Sequence, residues 1–272
     1  MLESVRPIVL SVSSDNSSTS YDNGSYDNGS NILIKVLFNE PVFVDNSTGN
    51  PRIELETGST DDNATYIGGL SEIISGNTII SKGNYTNTLY FLYTVGPGDN
   101  SSDLDYKSAS SLSDNGSTIR DNSSNDAILT LPDNGSSGSL GGNVDADGNE
   151  KYIVIDTAKP TALLITCSPS ICVDVTPSSG YVTVRSTEIG TAYLVFHSVS
   201  VNNVLTNITN ADDNLWNSVD ISSTSDNATI YTTGLKTGTF MVYTVDAAGN
   251  VSDASVGPGG WSALRGSMKV KP

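Results

Sequence analysis

Apolar side chains in this chain recur on every second residue over short runs, and almost never with a helical spacing. In the run 32–38 the side chains of Ile32, Ile34, Val36 and Phe38 all fall on one parity, the period of a strand with one buried face. Further β-branched runs lie at 7–13, 52–57, 88–95, 127–131 and 152–155. No stretch of a dozen residues keeps a 3.6-residue repeat, so an α-helical fold is excluded. Clusters of Asn, Asp, Gly and Ser separate the runs and supply turns. Many short strands with regular turn signals predict an all-β chain of β-sandwich type.

A second set of runs follows, at 162–166, 181–186, 192–198, 228–232 and 239–245. Between the sets stands Lys159-Pro160, and the proline ring holds the residue before it extended. Two domains are therefore expected, 1–158 and 159–272, which suits a chain of 272 residues. The charge divides at the same place. Residues 1–158 hold 22 acids and 7 bases, whereas residues 159–272 hold 8 acids and 6 bases. The net charge of −17 leaves no basic stripe for phosphates, which argues against a nucleic-acid partner. No apolar run approaches the roughly 18 residues of a membrane span. The start Met1-Leu2-Glu3-Ser4 lacks a basic n-region and an apolar h-region. For an exported protein, the expectation is then a mature or excised fragment.

The first part resembles the Ig-like repeats of large bacterial and archaeal surface proteins, adhesins and S-layer-type proteins among them. The residues that carry this are 32–41 (ILIKVLFNEP), 51–58 (PRIELETG), 64–66, 87–95 (NTLYFLYTV), 103–106 (DLDY), 127–132 and 153–160. The second part resembles a different repeat of the same class, through 187–195 (TEIGTAYLV), 213–219 (DNLWNSV), 233–238 (TGLKTG) and 243–252 (YTVDAAGNVS). The resemblance implies two Ig-like β-sandwich domains in tandem and an extracellular location, and it implies no chemistry.

The sharpest local signal is a set of thirteen Asn-x-Ser/Thr sequons, at Asn16, Asn23, Asn28, Asn46, Asn63, Asn84, Asn100, Asn115, Asn122, Asn134, Asn207, Asn227 and Asn250. This is about twice what the Ser and Thr frequency alone gives, and ten of the thirteen lie in the first part. Ten are directly preceded by Asp, including four copies of Asp-Asn-Gly-Ser. Asp-Asn-Gly suits left-handed turn positions without any sugar. That preference accounts for Asn-Gly, but not for Ser or Thr held two residues after Asn-Ser, Asn-Ala and Asn-Gly alike. Covalent N-glycans on exposed loops are the expectation.

Residues 14–30 hold three sequons and two tandem copies of Tyr-Asp-Asn-Gly-Ser. So polar a segment is expected to be an extended, sugar-coated or disordered tether. It separates the apolar strand in residues 1–13 from the rest of the domain. On such a tether the strand can pair in its own sheet, or add to a neighbouring subunit as a donor strand. Repeated head to tail, strand donation gives an open homopolymer.

Asn143, Asp145, Asp147 and Gly148 match the opening of a calcium loop, but Val154 stands where an EF-hand needs its bidentate Glu. A simpler Ca2+ site from Asp145, Asp147, Asn149 or Glu150, with Asp156 at the junction, stays open beside an Asp-Gly turn with solvated carboxylates. Asp246 to Asn250 is open between turn and ligand in the same way. Cys167 and Cys172, the two cysteines, enclose four residues. Two thiols make too few ligands for a metal and His197 is remote in sequence, so a local disulfide in an oxidising compartment is expected. One histidine removes most triads. Glu54 and Glu56 fall on one strand face, which a solvated face explains more cheaply than acid–base catalysis. Trp216 and Trp261 could stack on sugars, although buried aromatics are commoner in a sandwich. The expected function is a non-enzymatic, extracellular structural module of a surface fibre, S-layer or adhesin stalk. The alternative is a calcium-dependent module binding carbohydrate or a host surface.

Overall fold

The longest alternating run becomes the longest strand of a computed structural model, which describes residues 5–14, 24–69, 85–142, 152–168, 180–255 and 268–270. The chain divides into two compact units, Met1–Thr157 and Ala158–Pro272. That division falls one residue before the expected junction. Both units are built of sheets, antiparallel except for one strand pair in the first, in a sandwich-like arrangement, so the chain is all-β.

In the first unit, β1 (Val9–Ser14), β3 (Asn31–Asp45), β6 (Thr86–Thr94), β5 (Asp62–Gly69), β4 (Arg52–Leu55) and β8 (Leu112–Ser113) form one antiparallel sheet in that order. β9 (Thr118–Arg120) pairs with the far end of β3. A smaller sheet sets β10 (Ile153–Asp156) between β2 (Gly24–Tyr26) and β7 (Asn100–Ser101). The β10–β2 pair is parallel. Along β3 the buried residues are Ile32, Ile34, Val36, Phe38, Val42 and Val44, one parity over the whole strand. They join Ile53, Leu55, Phe91, Leu104, Ile153 and Ile155 in one core. Each such side chain contributes about 1.5–3 kcal/mol on burial, which sets this register against a one-residue slip.

Two expectations need correction here. The segment expected as a tether is ordered structure from residue 24 onward. Tyr26 is buried, and Ser25 and Tyr26 pair with Val154 and Ile155. The Asp27–Ser30 turn is tied to the sheet by Gly29 N–H to Val95 O (2.9 Å) and Val95 N–H to Ser30 O (2.8 Å). The tyrosine of the second Tyr-Asp-Asn-Gly-Ser copy supplies the apolar surface that the composition obscured. Asn16 and Asn23 lie outside the described residues. The second correction is 127–131, which is not a strand. Its N–H groups go to three different segments: Ala127 to Ile119, Ile128 to Pro7 and Leu131 to Ala109. No ladder can form from bonds so dispersed.

The N-terminal segment is held on both sides. β1 pairs antiparallel with β3 from Val9↔Phe38 to Ser14↔Ile34. On its other edge Ile128 N–H donates to Pro7 O (2.7 Å) and Val12 N–H to Gly138 O (2.8 Å). Val9 and Val12 are buried.

In the second unit, β11 (Ala162–Ser168), β12 (Tyr181–Ser186) and β15 (Ala228–Tyr231) form one sheet. β14 (Trp216–Ile221), β13 (Gly190–Phe196), β16 (Gly238–Asp246) and β17 (Met268–Val270) form the other. Leu164, Val182, Val184, Leu194, Phe240 and Val242 fill one core. The opposite face of β13 and β16 is covered too, by Val201 and by Ile208 of the short helix α1 (Leu205–Thr209). β13 is therefore buried on both faces, and its sequence is continuously apolar rather than alternating. At its start a Cβ on Gly190 would sit 2.0 Å from Val245 O, at φ +151°, so only glycine fits this close strand approach.

Candidate functional site

Among the described residues, Asp27, Asp45, Asp62, Asp99 and Asp121, each directly before a sequon asparagine, accept local hydrogen bonds through their side chains. Asp45 Oδ1 accepts from Ser47 N–H (3.1 Å). Asp121 Oδ1 accepts from the N–H of Ser123 and Asn125 (2.8 Å each), and its Oδ2 accepts from Asn125 Nδ2 (2.7 Å). Burial raises the Asp121 carboxyl, but the bonds from Asn125 and Ser123 outweigh it and hold the group below 3.8. Asp99 is buried, and its Oδ2 accepts from Tyr93 OH (2.6 Å) and Gly96 N–H (2.7 Å). Burial first, then the bond to Asp99, hold the Tyr93 hydroxyl protonated well above the usual phenol range.

The serine of the sequon also has a structural partner. In Asp27–Ser30, Ser30 Oγ donates to Asp27 Oδ1 (2.7 Å). In Asp114–Ser117, Ser117 Oγ donates to Asp114 O (2.7 Å), and Asn115 and Gly116 both take positive φ, the two central positions of a type I′ turn. Gly29, Gly116 and Gly135 all have positive φ in their Asp-Asn-Gly-Ser copies. Turn chemistry thus explains the Asp, the Gly and part of the Ser in these motifs.

The asparagines divide by what their side chains do. Asn28, Asn100, Asn122 and Asn227 are exposed, and their amide nitrogens meet no acceptor among the described residues. Asn227 is approached through its oxygen alone, by Arg185 Nη2 at 3.0 Å. Asn115, Asn134 and Asn207 are exposed too, but each Nδ2 donates to a backbone carbonyl, of Asn50, Tyr106 and Val201. Asn46 and Asn63 are half-buried, and Asn46 Nδ2 leans on Asn50 Oδ1 at 3.4 Å. Asn84 lies outside the described residues. Asn250 corrects the sequence reading. It is 9% exposed, and its Nδ2 donates to Asp246 Oδ2 at 2.9 Å. Asp246 Oδ1 meanwhile accepts from the N–H of Ala248, Gly249 and Asn250. The folded unit leaves the Asn250 amide inaccessible, and Asp246 to Asn250 is a turn of the same design as Asp121 to Asn125.

Beside Asn122 lies a groove of about 410 Å³ lined by Glu40, Pro41, Tyr85, Asp121, Asn122 and Ser123. Tyr85 is 48% exposed and packs against Phe43, ring centroids 5.6 Å apart. Sequence reasoning missed this groove, because its residues come from three separate segments. The one signal was Tyr85 itself, an aromatic inside the Asn84-Tyr85-Thr86 sequon.

The remaining sites are quickly placed. Asp145, Asp147, Asn149 and Glu150 lie outside the described residues, as do Cys172, Trp261 and the Cys167 side chain. Asp156 ends β10 opposite Asn100 of β7. Glu54 belongs to an ion-pair group, with Lys107 Nζ at 3.2 Å from Glu54 and 2.6 Å from Asp61. His197 follows β13 in an exposed turn, its ring 4.6 Å from that of Phe196. Trp216 packs on Tyr193 at 5.9 Å between centroids, and its indole N–H donates to Ala211 O. No described helix is long and apolar enough to cross a membrane.

No family model matches the chain, and no curated protein does. A solved structure of a DUF4785 family protein from Legionella pneumophila aligns with 88% of this chain and 52% of its own, at 11% identity and a TM-score of 0.21. This chain thus spans about half the length of that protein, and so low a score carries no argument about fold or function.

Proposed function

We propose that the chain is an N-glycosylated structural module of a cell surface, a subunit of a surface fibre, an S-layer or an adhesin stalk. The observation that carries this reading is the placement of Asn28, Asn100, Asn122 and Asn227, exposed sequons with free amide nitrogens on turns and edges of an all-β frame. An acceptor nitrogen must be reachable, and these four are. In this reading both units are Ig-like sandwiches, and glycans supplement the solvation of a chain in which only 16% of residues are charged. Cys167 and Cys172 pair as a local disulfide in the oxidising environment outside the cell.

Assembly proceeds by strand donation. The N-terminal segment makes its bonds to β3, Gly138 and Ile128 within one chain. The same bonds made to a neighbouring copy would link subunits head to tail. Negative-stain microscopy of native material and of a variant lacking residues 1–13 tests this. Loss of fibres, with the fold restored by adding the missing peptide in trans, supports donation. Undiminished fibres in the truncated protein overturn it.

The second reading, a calcium-dependent adhesin module for carbohydrate or a host surface, has one observation in its favour, the groove beside Tyr85. Its calcium would fall to Asp145, Asp147, Asn149 and Asp156.

A further inference from the structure

The groove beside Tyr85 has no occupant in the reading above, although it holds the chemistry of a saccharide site. Tyr85 offers an aromatic face and Ser123 a hydroxyl, and Glu40 and Pro41 complete the described wall. Asp121 adds no ligand atom, since Ser123 and Asn125 already engage both its oxygens. Asn122, a sequon asparagine that is exposed and whose amide nitrogen is free among the described residues, also lines the groove. An attachment point for a saccharide therefore forms part of the wall of a groove suited to one.

We infer that the glycan carried by Asn122 folds back into this groove, with its first sugars packed against Tyr85. The inference rests on the N-glycosylation proposed above. The attachment forms a bond between Asn122 Nδ2 and the anomeric carbon of a pyrophosphate-activated saccharide. The pyrophosphate leaves with the electron pair of the C–O bond, and the amide gives up one proton. Sugar rings then present their C–H faces to Tyr85 and a hydroxyl to Ser123. Tethering raises the local sugar concentration far above that of a free ligand, so a shallow, open groove suffices. Asn28, Asn100 and Asn227 lie outside the lining of this groove, and Asn100 serves as the reference site.

Site-resolved glycosidase trimming of native protein, followed by mass spectrometry of glycopeptides, tests the assignment. The Asn122 glycan should be trimmed about three- to tenfold more slowly than that of Asn100, the protection one aromatic packing contact supplies. Tyr85→Ala should bring the two rates together, and Tyr85→Phe should keep the difference, with Asn100 as the internal control for folding. Equal rates in the native protein, or protection that survives Tyr85→Ala, overturns the inference. Protection lost in Asn84→Gln would give the groove to the Asn84 glycan and overturn it as well. So would free oligosaccharide binding to Asn122→Gln protein as tightly as to the native one, since the groove would then serve an external sugar. An unmodified Asn122 beside occupied Asn28, Asn100 and Asn227 defeats this inference alone. Unmodified asparagines at all four defeat the proposed function with it.

Discussion

Replacing Tyr93 by Phe removes a single oxygen and isolates the bond that holds the Asn100 loop. Tyr93 is fully buried, and its hydroxyl donates to Asp99 Oδ2 at 2.6 Å. The same oxygen has one other donor, Gly96 N–H at 2.7 Å, and Asp99 is 8% exposed. The next residue, Asn100, donates its N–H to Thr57 O at 2.8 Å, so the sequon is positioned through this contact. A hydrogen bond to a charged group contributes about 1.5–3 kcal/mol, and the carboxylate left behind has little water to replace it. For a unit of this size each kcal/mol moves Tm by about 2–4 °C, so a fall of roughly 4–8 °C is expected for 2 kcal/mol. Both tryptophans lie in the second unit. Eight of the twelve tyrosines lie in the first unit, so its denaturation dominates the tyrosine signal, with Trp fluorescence as an internal control for the second. A change in the tyrosine transition under about 0.5 kcal/mol, the range of an ordinary surface substitution, would refute the reasoning. So would an equal shift of the tryptophan transition.

Three further outcomes follow from the same contacts. Asn250→Ala should destabilise the second unit by about 1–3 kcal/mol in unglycosylated protein, because buried Asp246 loses a donor, while Asn122→Gln should stay within about 0.5 kcal/mol; denaturant titration of both measures the contrast. Asp45, Asp61 and Asp121 have folded-state pKa values below 3.8: hydrogen bonds from Ser47 and from Lys107 outweigh burial at the first two, and at Asp121 burial, the largest single influence, is outweighed by the bonds from Asn125 and Ser123 together. A depressed pKa gives stability that is complete above the unfolded value and lost as pH falls through the folded one, so the first unit should weaken below about pH 4 and not between pH 5 and 8, which acid titration by circular dichroism checks. If calcium occupies Asp145, Asp147, Asn149 and Asp156, melting curves should rise with Ca2+ and fall with chelator; coincident curves remove calcium from the account.

What could be read from the sequence was set by how local the determining interactions are. Alternation in β3 and the Lys159-Pro160 junction are local, and the strand and the division at Thr157 follow them closely. Residues 24–30 looked like a tether because one tyrosine among small polar residues does not outweigh composition, yet Tyr26 finds a partner strand more than a hundred residues away. β13 lacks alternation because α1 covers its second face, a tertiary fact. The sequons showed where asparagines could be modified, but not which amides were free. Asn122 and Asn250 both open sequons, but Asn250 stands four residues after Asp246, whose Oδ2 captures its amide, the place that Asn125 and not Asn122 takes after Asp121.

The central claim is that access to the amide nitrogen in the folded protein decides which sequons carry glycan. Site-resolved glycopeptide analysis of native material tests it most directly. The account predicts highest occupancy at Asn28, Asn100, Asn122 and Asn227, lower occupancy at Asn115, Asn134 and Asn207, and none at Asn250. Unmodified asparagine at the four free sites, or a glycan on Asn250 equal to theirs, would contradict it.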